Sequence, residues 1–91
     1  MDAIVSVPAA GALHVDSAGG GPPLVLLHGW ALHGGLFAPL VPALARRHRV
    51  HVVDLPGHGH SPAVAPYTLD AIVARLDDRF AREAPLTVLG W

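Results

Sequence analysis

The chain has 91 residues, of which 52% are hydrophobic and 14% charged, with a formal charge of −1. That suits one small domain; it is too apolar for disorder and too interrupted for a membrane span, which needs about 20 continuous apolar residues. The charge gives nucleic acid no electrostatic footing, and the lack of cysteine removes disulfides and thiolate zinc sites.

Met1-Asp2-Ala3-Ile4 places an acid where a secretory signal carries positive charge, and no long apolar core follows, so a cytoplasmic address is expected. Residues 11–17 alternate apolar and polar, the pattern of a half-exposed strand. Ala18 to Pro23, rich in Gly and Pro, predicts a turn. Leu24-Val25-Leu26-Leu27 reads as a strand buried on both faces. Leu36, Phe37, Leu40, Val41 and Leu44 recur at helical spacing and predict a helix over 35–47, with Pro42 as a point of bending or a later start.

Val50 to Val53 predicts the next strand, ending at Asp54, and Leu55 to Pro66 a loop. His48 and His51 flank or lie in that strand and are expected at its surface or edge. Leu69 to Glu83 carries the stripe Leu69, Ile72, Val73, Leu76 and Phe80, predicting an amphipathic helix with a buried face. Thr68 is its expected N-cap, Asp70 suits its first turn, Asp78 and Arg82 form an i, i+4 pair, and Pro85 ends it. Leu86 to Leu89 predicts a last strand.

The order strand, strand, helix, strand, helix, strand implies an α/β architecture with a largely parallel sheet. No helix follows the last strand to cover its second face, so the expectation is that residues 1–91 are one portion of a longer domain.

Two strand ends carry chemistry. His28-Gly29-Trp30 follows the first buried strand, where a glycine lets the backbone turn sharply and approach a ligand closely. Backbone N–H groups at such a place can hold an oxyanion; the bland alternative is a strand-ending turn with a packed Trp. Asp54-Leu55-Pro56-Gly57-His58-Gly59-His60-Ser61 follows the second. It fails as a dinucleotide loop, since Pro62 stands where a third glycine belongs and Asp54 precedes the glycines. A loop that shapes a pocket wall fits better. Gly90-Trp91 after the last strand fits the start of G-x-S-x-G, in which a serine comes next on a strand-to-helix turn.

Taken together, these segments resemble the α/β-hydrolase family. His28-Gly29-Trp30 matches its H-G-x strand end, Asp54 through Ser61 its D-x-x-G-x-G-x-S loop, and Gly90-Trp91 lies at the right spacing. The resemblance covers roughly residues 11–91, the first third of a typical member. Within the family, Val25 to Trp30, Val53 to Gly57 and Leu89 to Trp91, with Trp at both strand ends, look like the methyl ester carboxylesterases of biotin synthesis.

The resemblance implies the N-terminal part of an α/β-hydrolase fold, a mostly parallel sheet flanked by helices, ending just before the nucleophile. It implies hydrolysis of a methyl ester by a serine, a histidine and a carboxylate through an acyl-enzyme. In this family the triad runs Ser, acid, His along the chain. On that order none of the triad lies in this chain, no histidine here is catalytic, and the 91 residues alone are expected to be inactive. The expected substrate is an ester, with acyl-carrier protein as its carrier, and no cofactor or metal.

By the same resemblance Trp30 supplies its backbone N–H to the oxyanion hole and its ring lines the acyl site, while Gly29 permits the close approach. His28, Asp54, Gly57, Gly59, Ser61 and Trp91 support the loops. Ser6, Ser17 and Ser61 sit on no strand-to-helix elbow. His33, His58 and His60 lack the acidic partner a metal site would need. Other readings keep the fold: a general esterase or lipase, a haloalkane dehalogenase or epoxide hydrolase with Asp as nucleophile, and a ligand-binding protein with no activity.

Overall fold

The computed structural model describes residues 12–83 and 85–91; Ser6 and the start of the first predicted strand lie outside them. Four strands form one sheet in the order β1-β3-β2-β4: β1 (His14–Ala18), β2 (Pro23–Leu27), β3 (Arg49–Asp54) and β4 (Thr87–Gly90). Strand β2 lies parallel to both β3 and β4, and β1 runs antiparallel to β3. The sheet is thus mostly parallel, with an antiparallel strand at one edge.

Side-chain alternation along the strands splits the apolar residues between two faces. Val25 and Val53 join Leu13 and Phe80 on one face; Leu24, Leu26 and Val50 join Phe37 on the other. Strand β2 is therefore buried on both sides, as its unbroken apolar run predicts. The first face is covered by α2 (Leu69–Phe80), the second by a series of short turns over residues 34–47.

Those turns correct the expectation of one helix over 35–47, although the later start at Pro42 is seen, since Pro42 lies in the first turn of a short α-helix. A 3-10 turn (Gly34–Phe37) and a single α-helical turn, α1 (Val41–Leu44), stand in its place. Pro39 and Pro42 have no N–H to donate, so a continuous i→i−4 ladder cannot form across them. The chain uses tighter bonds instead, from Ala38 N–H to Gly35 O and from Leu40 N–H to Phe37 O. The apolar spacing survives: Phe37 is buried, and Leu36, Val41 and Leu44 pack beside it.

Helix α2 starts as predicted. Thr68 Oγ1 accepts the Ala71 N–H at 3.2 Å, and Asp70 occupies the first turn. Its end differs, because the last residues tighten into a 3-10 turn, Ala81–Glu83, before Pro85. Among the described residues the i, i+4 ion pair is Arg79–Glu83 at 3.4 Å, in place of the expected Asp78–Arg82. The apolar stripe is only partly buried. Phe80 is buried and Leu76 packs beside it, whereas Leu69 is 75% and Val73 53% exposed. An open apolar groove of about 290 Å³ separates this face of α2 from Val25, Leu27, Leu86 and Val88.

His51 is a second correction. It is buried, 2% exposed, because β3 has a strand on each side and α2 above it. Its ring satisfies both nitrogens, with Nδ1 2.7 Å from Ser17 Oγ and Nε2 2.7 Å from Glu83 Oε1. The trio ties β1, β3 and the end of α2 together. Among the described residues no helix is long and apolar enough to cross a membrane.

Candidate active-site edge

Parallel register brings the chemistry-bearing segments to one edge of the sheet. Leu27 pairs with Val53 on one side and with Gly90 on the other. His28-Gly29-Trp30, Asp54 and Trp91 therefore leave their strands side by side, at the carboxyl ends, where open α/β sheets place ligands. Trp91 N–H donates to Leu27 O at 3.0 Å, continuing the β2–β4 ladder by one step. A Cβ on Gly29 would sit 3.1 Å from the Trp91 carbonyl oxygen, a tight contact that glycine avoids where the two strand ends approach.

His28 is buried and links the two loops. Its Nδ1 donates to Gly29 O at 2.7 Å, which leaves Nε2 to accept the Leu55 N–H at 2.9 Å. The Trp30 ring is 74% exposed and lies edge-on to Tyr67 and His58, with centroids 5.6 and 5.1 Å away. Beyond it the backbone turns sharply, with Ala31 at a φ of 66°. The Ala31 N–H goes to His58 Nε2 and the Leu32 N–H to Gly29 O. Among the described residues no acceptor takes the Trp30 N–H.

The loop after β3 is organised around the Asp54 carboxylate, which is buried. Oδ1 accepts the Gly34 N–H at 2.7 Å and Oδ2 the His60 N–H at 3.0 Å. Burial by itself pushes this carboxyl up. The N–H groups of His60 and Gly34, aided by nearby His14 and His28, outweigh it and hold the carboxyl below the ordinary Asp value of 3.8. Ser61 closes the loop, its hydroxyl donating to Asp54 O and accepting the His14 N–H at 2.8 Å. Gly59, at a φ of 50°, passes so close to the Asp54 carboxylate that a Cβ there would overlap it. Gly57, at a φ of 75°, turns the chain and donates its N–H to Pro62 O.

The potential metal donors that come together among the described residues are His14, Asp54 and His60, within 4.8 Å of one another, not His33, His58 and His60. Both Asp54 oxygens already accept backbone N–H groups and His14 Nε2 lies 3.2 Å from Asp16 Oδ2, while the His60 ring approaches Asp54 Oδ2 at 3.6 Å. Three participants escape a reading of the sequence. Gly34 and Tyr67 carry no motif, and His58 stands between two glycines with nothing to mark what its ring touches. The arrangement as a whole places a backbone N–H with no acceptor among the described residues beside the Trp30, His58 and Tyr67 rings, on loops cross-linked by hydrogen bonds.

The alpha/beta hydrolase fold family model matches residues 22–88. The chain is 50% identical over 84 residues to a pimeloyl-[acyl-carrier protein] methyl ester esterase of Xanthomonas oryzae pv. oryzae, covering 87% of this chain and 30% of that protein. A protein of the same name from Chromobacterium violaceum is 49% identical over 79 residues, with the same coverage. The chain thus spans about 30% of the length of these curated relatives. An alpha/beta hydrolase from Sphaerobacter thermophilus superposes with a TM-score of 0.76 at 28% identity, over 86% of this chain and 31% of that one. With more than two thirds of its residues inside the family model and a backbone that superposes on an alpha/beta hydrolase, the chain belongs to the alpha/beta hydrolase fold family.

Proposed function

We propose that this chain is the N-terminal portion of a serine carboxylesterase that hydrolyses the methyl ester of pimeloyl-acyl-carrier protein. The observation that carries this reading is the side-by-side exit of Trp30 and Trp91, with the Trp30 N–H unclaimed among the described residues. A serine following Trp91 would emerge next to that donor, and two relatives at about half identity are named for this reaction.

In the proposed reaction the serine hydroxyl adds to the ester carbonyl while a histidine takes its proton. The carbonyl oxygen becomes an oxyanion held by the Trp30 N–H. The carbon–oxygen bond to methoxide breaks, the histidine returns the proton, and methanol leaves. Water repeats the sequence on the acyl-enzyme and frees the carboxylate. Serine, acid and histidine come from residues beyond Trp91, in a protein of the relatives' length. The exposed Trp30 ring forms one wall of the acyl site, and Tyr67 and His58 fix its angle.

The test uses that longer protein. It should hydrolyse short p-nitrophenyl esters and the pimeloyl methyl ester, and Ser-x-Gly should follow Trp91 in its sequence. Replacing Trp30 by Pro removes the N–H and is expected to lower kcat by about 100-fold or more. Full activity in that variant sinks the oxyanion role, and an aspartate after Trp91 would move the protein to dehalogenase or epoxide chemistry.

A further inference from the structure

We propose that His58 is a positioning residue for the oxyanion donor, acting through one obligatory neutral tautomer. The inference rests on the esterase reading for its functional meaning, but its geometry stands apart from it.

His58 Nδ1 lies 3.0 Å from the Pro56 carbonyl oxygen. A carbonyl only accepts, so Nδ1 carries the proton. The lone pair of the neutral ring is then on Nε2, and Nε2 accepts the Ala31 N–H at 3.0 Å. The two contacts are mutually consistent in that one protonation state; a proton on Nε2 would face the Ala31 N–H donor to donor. The ring is further held by His28 and Trp30, with centroids 5.0 and 5.1 Å away. Pro56, whose carbonyl anchors the ring, is itself fully buried, and the same oxygen accepts the Tyr67 hydroxyl at 3.1 Å.

What His58 holds is the sharpest point of the catalytic loop. Ala31 is the non-glycine residue with positive φ among the described residues, a conformation that L side chains adopt at a cost. The Ala31 amide immediately follows Trp30, so the bond from His58 sets the orientation of the peptide next to the proposed donor. Without it the strained turn is free to relax, and the Trp30 N–H moves away from the developing charge. A donor displaced by about 1 Å loses up to 100-fold in rate while substrate binding is little changed. His58 therefore acts on kcat through the backbone and touches no substrate.

The experiment compares His58→Ala and His58→Gln in the longer protein, with kcat and KM for a p-nitrophenyl ester, and reads the His58 tautomer and the Ala31 amide by NMR. The expected result is a fall in kcat of about 10- to 100-fold in His58→Ala with KM within about twofold. His58→Gln, whose side-chain oxygen can accept the same N–H, should recover most of it. The unsubstituted protein should show the Nδ1–H tautomer and a slowly exchanging Ala31 amide that becomes fast in His58→Ala. Unchanged kcat in His58→Ala, equal loss in both variants, or an Nε2–H tautomer overturns the proposal. An unsubstituted protein that cleaves no ester defeats the esterase reading instead, and the NMR result then decides the positioning claim by itself.

Discussion

The two sides of the sheet edge are finished in different ways. On the β3 side, the loop from Asp54 to Ser61 has its polar groups paired: two N–H groups on the Asp54 carboxylate, a hydroxyl between Asp54 O and His14 N, and His28 bridging to Leu55. On the β4 side, Thr87, Val88, Leu89 and Gly90 are all exposed, and α2 leaves Leu69 and Val73 uncovered. Both β3 and β4 carry apolar residues, yet β3 is largely buried and β4 exposed. What separates them is whether a second layer lies on the strand, and polar loops gain rigidity only where their donors and acceptors find one another.

The difference can be tested by substitution, beginning where the largest effect is expected. Leu26 is fully buried in β2 beneath Phe37, so Leu26→Ala should cost about 2–5 kcal/mol in denaturant unfolding. A cost under about 1 kcal/mol would mean that the second face is not packed as described.

Asp54→Asn comes next. An amide can accept only one of the two N–H groups and turns a donor toward the other, so a loss of about 1–3 kcal/mol is expected. The same carboxylate gives a pH signature. Its folded pKa lies below the ordinary Asp value of 3.8, so its contribution is fully present above that value and is lost as pH falls through the folded one. The unsubstituted protein should therefore lose stability on acidification below about pH 4, and Asp54→Asn should lose less over that window. Parallel pH curves for the two proteins would remove Asp54 from the account.

The smallest effect belongs to β4. Val88→Thr keeps the β-branch on an exposed strand and should change the stability of the 91-residue chain by no more than about 0.5 kcal/mol. A markedly larger cost would show that this face is covered in solution, and the contrast between the two sides would narrow.

Legibility followed the range of the physics. The strands β2 and β3 and the start of α2 are readable because their signals are local: an unbroken apolar run, a Thr cap, an acidic first turn. The helix expected over 35–47 is broken into short turns because Pro39 and Pro42 lack the N–H groups that a continuous ladder needs, which the apolar spacing does not show. His51 failed for another reason. A histidine in an apolar strand gives no sign that Ser17, 34 residues earlier, and Glu83, 32 residues later, will meet its two nitrogens. In the site, glycines and strand ends were visible, whereas the contact of His58 with Ala31 spans 27 residues and leaves no trace in either segment.

From the sequence alone came the α/β order, the two chemistry-bearing strand ends and the glycines that let them approach, since each depends on residues within one segment. The tertiary structure decided which strands are neighbours, that Trp30 and Trp91 leave the sheet side by side, and that a buried carboxylate and the imidazoles of His28 and His58 tie the loops together. Those outcomes depend on sheet register and on donors meeting acceptors across tens of residues, and neither is written in any local pattern.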